Sequence, residues 1–257
     1  MSVCKEQLAL VVRHSSGTCS AGADMILSCN CSFIERLSFM KTIVIASQKG
    51  GSGKTMLAAH LAVEAERAGD TAWLIDTDRQ ATLSLWHERR KADTPQRLDV
   101  PFARIADGLA TLAAHDAAYC FIDTSPTISD QNTALLDLAD LVLIPVRPSP
   151  SDLWAVAETV EQVKDAGKPF IFVITQAKQQ ASITAQAVAA LSQHGRVAQA
   201  FVADRVAYAA AMTGGNTAPE VAAKGHAAEE IAALWYELKP VFHESMKSRK
   251  ERKKDHG

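Results

Sequence analysis

The stretch Gln48-Lys49-Gly50-Gly51-Ser52-Gly53-Lys54-Thr55 sets three glycines, two lysines and a hydroxyl at a spacing suited to phosphate chemistry. Glycines let a backbone curl with its N–H groups turned inward, where they surround phosphate oxygens. Opening a helix, such a loop also offers an anion the positive end of the helix dipole. Lys54 would reach the terminal phosphates, and the Thr55 hydroxyl would ligate Mg²⁺. The ordinary phosphate-loop pattern asks for a glycine five residues before Gly53, but Gln48 stands there. Two acidic clusters follow, Asp76-Thr77-Asp78-Arg79-Gln80 and Phe121-Ile122-Asp123-Thr124-Ser125-Pro126. Carboxylates at strand ends serve either as plain helix caps or as partners of a divalent metal.

Strands must deliver these groups to one place. Apolar runs predict strands over Thr42–Ser47, Ala72–Asp76, Ala118–Asp123, Leu141–Val146 and Phe170–Thr175, with two weaker ones at Val100–Ile105 and Val197–Val202. Helical periodicity falls between them, at Lys54–Arg67, Asp152–Ala166 and Ile183–His194. Several strands are apolar throughout rather than alternating, the pattern of a parallel sheet covered on both faces. The expected fold is α/β: an open, mostly parallel sheet, right-handed crossovers and helices on both faces. Ligands of such sheets sit beyond the carboxyl ends of the strands, where the loop and both acidic clusters fall.

The run Lys-Gly-Gly-x-Gly-Lys-Thr at residues 49–55 resembles the deviant Walker A motif of the ParA/MinD superfamily of P-loop ATPases, with Lys49 at the signature position. The resemblance extends from about Thr42 to Leu238. It implies ATP and Mg²⁺ as cofactors and an ATP-dependent homodimer in which Lys49 reaches the other subunit's nucleotide. Asp76-Thr77-Asp78-Arg79-Gln80 resembles the family's Asp-x-Asp-Pro-Gln, with Arg79 in place of the proline. By that likeness Asp78 orients the attacking water, Asp76 supports the metal shell, and Asp123 holds Mg²⁺ through water. Lys49, Lys54 and Asp78 are then the catalytic set. The nucleotide-binding set is Lys49, Gly50, Gly51, Ser52, Gly53, Lys54, Thr55 and Met56, with Thr175 and Gln176 where relatives contact the adenine. The family's asparagine is absent there. Ile144–Leu153 looks like the corresponding segment of small plasmid ParA proteins, which lack a helix-turn-helix domain, and nothing before Met40 has that pattern. Arg205 aligns with a family arginine implicated in sequence-independent DNA binding; its alternative role is a surface salt bridge. The resemblance implies weak ATPase activity stimulated by a ParB-type centromere-binding partner.

At 257 residues, 47% hydrophobic, the chain can build one sizeable core. A formal net charge of −2 means that DNA contact must come from local patches, or from patches paired by dimerisation. Three regions are expected: an extension over 1–39, an ATPase domain over 40–246, and a basic tail over 247–257 that includes Lys247, Arg249 and Lys250. Those last three are the other candidate DNA contacts, although a solvated end is the plainer reading of a charged tail. Cys4, Cys19, Cys29 and Cys31 all lie in the extension. A poorly ordered, even untranslated, segment fits better than a zinc site, because paired C-x-x-C loops are missing. No apolar run reaches the roughly 18–20 residues of a membrane span, and no secretion signal opens the chain. The expectation is a cytoplasmic, nucleoid-associated protein without membrane contact.

Other classes fit less well. A membrane-cycling relative would end in an insertable amphipathic helix, whereas Ile231, Leu234, Trp235 and Leu238 read as a core-packed stripe interrupted at Pro240. An electron carrier would need two cysteines at a dimer face, and Cys120 falls within a strand. Tyrosine kinases of this type carry a tyrosine-rich tail, absent here. A carboxylate-activating synthetase of the dethiobiotin or cobyrinate type remains the enzymatic alternative, and a ParA-like positioner of a protein cargo is the other.

Overall fold

The five long apolar runs fold as strands and two short strands join them, giving β1 (Lys41–Ile45), β2 (Ala72–Asp76), β3 (Gln96–Arg97), β4 (Tyr119–Asp123), β5 (Leu141–Val146), β6 (Phe170–Ile174) and β7 (Arg196–Val197). These come from a computed structural model that describes residues 40–126, 130–178 and 182–254, with side chains described as far as Phe242 except that of Asp130. Residues 1–39 with their four cysteines, and the side chains of Lys247, Arg249 and Lys250, lie outside the described residues. The strands form one sheet in the order β3-β2-β4-β1-β5-β6-β7, every pairing parallel. Parallel neighbours require crossovers, and helices supply them: α1 (Lys54–Arg67), α2 (Thr82–Glu88), α3 (Ile105–Ala114), α4 (Asp130–Leu138), α5 (Pro150–Asp165), α6 (Ser182–Ser192), α7 (Val206–Thr213), α8 (Ala218–Val221) and α9 (His226–Lys254).

Alternate side chains of one strand point to opposite faces, so the sheet builds two cores. Ile43, Ile45, Leu74, Phe121 and Leu143 pack against α1, α2, α7, α8 and α9. Val44, Ile75, Ile122, Val142 and Phe172 pack against α3, α4, α5 and α6. Both faces are covered, which is why the central strands read as unbroken apolar runs.

The structure departs from the sequence reading at Val100–Ile105. Pro101 has φ −55° and no N–H to give a ladder, so the chain enters a short 3-10 turn at Phe102–Arg104 and continues into α3. The edge strand is instead Gln96–Arg97, two residues beside β2. The expected strand over Val197–Val202 shortens to Arg196–Val197. Pro240 also fails to end the last helix, which runs through it. Ile231, Leu234, Trp235, Leu238 and Phe242 bury one stripe on both sides of the proline, and that packing holds α9 continuous. Cys120 is buried within β4. Among the described residues no helix is long and apolar enough to cross a membrane.

Candidate functional site

The register brings three strand ends together: Ile45 of β1 lies opposite Asp123 of β4 and Leu143 of β5, and Asp76 of β2 lies opposite Asp123. Gln48–Gly53 wraps from β1 into α1 at this edge. Lys54 folds back over its own loop, donating from Nζ to the carbonyls of Ser47 at 3.0 Å and Lys49 at 3.3 Å. An ammonium has three donors, so one remains for a phosphate. Burial pushes the Lys54 pKa down, while Asp123 and Asp78 act in the opposite direction. Lys49, five residues earlier, makes no side-chain hydrogen bond or ion pair among the described residues and stands next to the exposed Gly50.

Thr55 donates from Oγ1 to Asp123 Oδ2 at 2.6 Å. Asp123 is fully buried, and its Oδ1 has no hydrogen-bond partner. Burial pushes this carboxyl up to about 7, against the Thr55 hydrogen bond and the Lys54 charge, with Asp76 and Asp78 adding to the rise. A buried carboxylate oxygen left unpaired beside a hydroxyl costs free energy that a cation or its water would relieve. Among the described residues no three His, Cys, Asp or Glu side chains converge as a metal cage. Mg²⁺ suits that arrangement, since it takes one or two protein ligands, with waters and phosphates completing its shell. Thr55 and Asp123 are the residues that would hold it, and it would there neutralise charge building on transferred phosphate oxygens.

Asp76, expected to support the metal shell, is tied to backbone and side chain around it. Its Oδ1 accepts from the Asp78 backbone N–H at 3.0 Å, and its Oδ2 accepts from both the N–H and the hydroxyl of Ser84 at 2.8 Å. Arg97 donates in turn to the Ser84 hydroxyl. Asp76 therefore ties the start of α2 to β2 and fixes the backbone of Asp78. The Asp78 carboxylate accepts from the Gln80 N–H at 3.0 Å, and Ala81 completes the turn at φ 51°. That left-handed conformation is strained for alanine. Where the family pattern has proline, Arg79 is exposed on this turn.

The opposite flank of the loop is held by the residues assigned to the adenine. Thr175 donates from Oγ1 to the Ser52 carbonyl at 2.7 Å, and Gln176 donates from Nε2 to the Gly51 carbonyl at 2.8 Å. Both brace phosphate-loop backbone. The Ser52 hydroxyl and the Gln48 side-chain amide nitrogen are buried without partners, further polar groups available to a ligand at the loop. Half-buried Met56 lies against Gly53, and its carbonyl takes a hydrogen bond from His60 Nδ1 at 2.8 Å.

Arg205 stands apart from this cluster. It donates from Nε and Nη2 to Glu230 Oε1 at 2.7 Å, and Tyr208 donates to the other oxygen of Glu230 at 2.7 Å. The salt-bridge role is thus the one the structure contains.

Two groups have no motif to flag them. Arg147, at the carboxyl end of β5, pairs side-on with buried Asp152, Nε to Oδ2 and Nη2 to Oδ1, both at 3.0 Å. His60, fully buried in α1, accepts at Nε2 from the Ala218 N–H at 3.0 Å. A five-residue spacing across a strand-to-helix turn, or a lone histidine on an apolar helix, carries no signal of its own.

The family model described as the CobQ/CobB/MinD/ParA nucleotide binding domain matches residues 43–218. Maintenance of carboxysome distribution protein A of Halothiobacillus neapolitanus is 27% identical over 209 residues, 77% of this chain and 96% of that protein. Protein ParA of Rhizobium radiobacter is 29% identical over 132 residues, 49% of this chain and 57% of that protein. The septum site-determining protein MinD of Pyrococcus horikoshii, solved with Mg-ADP, has a TM-score of 0.65 at 16% identity, covering 80% of this chain and 98% of that one. That likeness shows the fold. On the extent of the family match, this chain belongs to the CobQ/CobB/MinD/ParA nucleotide-binding family, whose ParA and MinD members are P-loop ATPases.

Proposed function

We propose that the chain is a nucleotide-switched partition ATPase. With ATP it closes as a homodimer and holds DNA of any sequence; hydrolysis, stimulated by a ParB-type partner, opens the dimer and releases the DNA. The observation that carries this reading is the unequal commitment of the two loop lysines. Lys54 closes over its own loop through two carbonyls, while Lys49 keeps its ammonium uncommitted beside exposed glycine backbone. A cation so placed is available to a nucleotide outside its own loop, where it stabilises phosphoryl charge only after two subunits close. Asp78, fixed by Asp76, is the group that orients the attacking water, and Asp123 and Thr55 provide for the metal. Two weak DNA patches joined in a dimer gain avidity, which suits a chain of net charge −2.

The test uses the Asp78→Ala variant of the full chain, expected to bind ATP and retain it. Its binding to two unrelated DNA duplexes is measured with ATP, with ADP and without nucleotide. Binding to both duplexes with ATP alone is the expected result. Tight ATP binding without DNA binding would move the function to a carboxylate-activating synthetase. The near full-length match to a carboxysome distribution protein favours one variation, in which the cargo carried over DNA is a protein assembly.

A further inference from the structure

We infer that Arg147 is a contact of the closed dimer, presenting its guanidinium edge to the second, ATP-bound copy of this chain where that copy covers the phosphate loop. The inference rests on the proposed dimer and names a residue that neither the motif nor the family model assigns.

Position comes first. β5 lies immediately beside β1, so the residue following Val146 emerges next to the phosphate loop. Arg147 Nη1 lies 3.5 Å from where a β-carbon on Gly51 would stand. Gly51 has φ +73° and is exposed, as is Gly50. In a phosphate loop the N–H groups turn inward to the nucleotide, so the β-carbon direction points out of the cradle. The guanidinium therefore sits on the outer crest, with the loop backbone between it and the phosphates of its own subunit.

Orientation comes second. Asp152 is 3% exposed and takes both Nε and Nη2 of Arg147, and Ser149 donates its hydroxyl to the same carboxylate. Such a pair fixes the plane of the guanidinium and lowers the entropy lost when its remaining donors engage. Two of the three remaining donors belong to Nη1, the nitrogen over Gly51. Lys49 is two residues away on the same loop and is the residue proposed to cross to the other subunit. A second copy that approaches closely enough to receive Lys49 must pass over Gly50 and Gly51, and so meets Arg147. The occupant follows from continuity with the nucleotide cradle.

Dimerisation is measured by sedimentation velocity in the Asp78→Ala background with saturating ATP, alongside ATP binding at protein concentrations where the chain is monomeric. Arg147→Gln should raise the dimer dissociation constant by about tenfold or more, as expected for losing an oriented charged contact at an interface, while ATP affinity of the monomer stays unchanged. Arg147→Lys should weaken the dimer similarly, because one ammonium cannot hold Asp152 and reach outward together. Removing the arginine leaves Asp152 buried and unpaired, so the Arg147→Gln/Asp152→Asn double variant, which keeps a neutral hydrogen-bonded pair, guards against misfolding and should show the same loss. Unchanged dimerisation in the double variant overturns the assignment while leaving the dimer intact. A parent that binds ATP and stays monomeric overturns the closed dimer itself, and this contact with it.

Discussion

Lys49 and Lys54 differ by five positions and by everything around them. One is buried and pinned to two carbonyls; the other is half-buried and uncommitted. Substituting them should therefore break different steps. Lys49→Ala is expected to abolish hydrolysis, a loss of tenfold or more in turnover, while nucleotide affinity of the monomer remains within about twofold. Steady-state turnover and equilibrium binding of a fluorescent ATP analogue would separate the two quantities. Turnover equal to that of the unaltered chain would remove Lys49 from catalysis. The carboxylates divide the same way. Asp123, buried with one free oxygen, is arranged for a cation, whereas Asp76 is occupied by Ser84 and the Asp78 backbone. A motif places both at strand ends and is silent about which keeps an oxygen without a partner.

At the scale of elements, α9 shows what packing contributes. Trp235 meets Tyr119 edge-on with ring centroids 5.0 Å apart, and Phe242 lies 5.7 Å from it. Its indole N–H is buried without a partner. Truncation should then be costly and an apolar aromatic well tolerated: Trp235→Ala loses about 3–5 kcal/mol of stability, and Trp235→Phe loses about 1 kcal/mol or less, because the orphaned donor leaves with the indole. Chemical denaturation of the two variants checks the contrast, and equal losses would mean that the indole itself, which both variants lack, is what the site requires. The same stripe was legible in the sequence, as were the five long strands and the phosphate loop between β1 and α1, because runs of apolar residues and a glycine pattern are local signals. Gln96–Arg97 was not: its two residues become a strand only through the neighbouring β2 backbone. Arg147 over Gly51 and His60 under Ala218 were hidden for a related reason, since each depends on a contact between segments far apart in the chain.

For the molecule as a whole, His60 is a group that ties stability to pH. It joins α1 to the start of α8 by donating to Met56 and accepting from Ala218, with Tyr208 against its ring edge. Burial drives its pKa down from 6.5 to about 4, opposed by the Met56 hydrogen bond and by Glu220. The folded chain thus holds the neutral ring while the unfolded chain takes up a proton below about 6.5. Stability from this group is complete above that pH and falls as the solution is acidified towards 4, by at most about 3 kcal/mol at roughly 1.4 kcal/mol per pH unit. Between pH 7.5 and 5 the buried Asp123 carboxyl, pushed up to about 7, takes up a proton in the folded chain and acts in the opposite direction. The measure is therefore the difference: urea midpoints of the unaltered chain should fall relative to those of His60→Gln. Parallel slopes would assign the acid sensitivity to other groups.

The strand order also has a temporal meaning. β1 is flanked by β4, which begins at Tyr119, and by β5, which ends at Val146. A ribosome adding about 5–20 residues per second needs roughly 5–20 s after making β1 before both neighbours exist. Until β4 is made, Thr42-Ile43-Val44-Ile45 has both backbone edges open, and one edge stays open until β5 follows. Of the described strands that end with a neighbour on each side, β1 waits longest to be enclosed, so newly synthesised chains, rather than folded ones, carry the greatest hazard of sticking to one another.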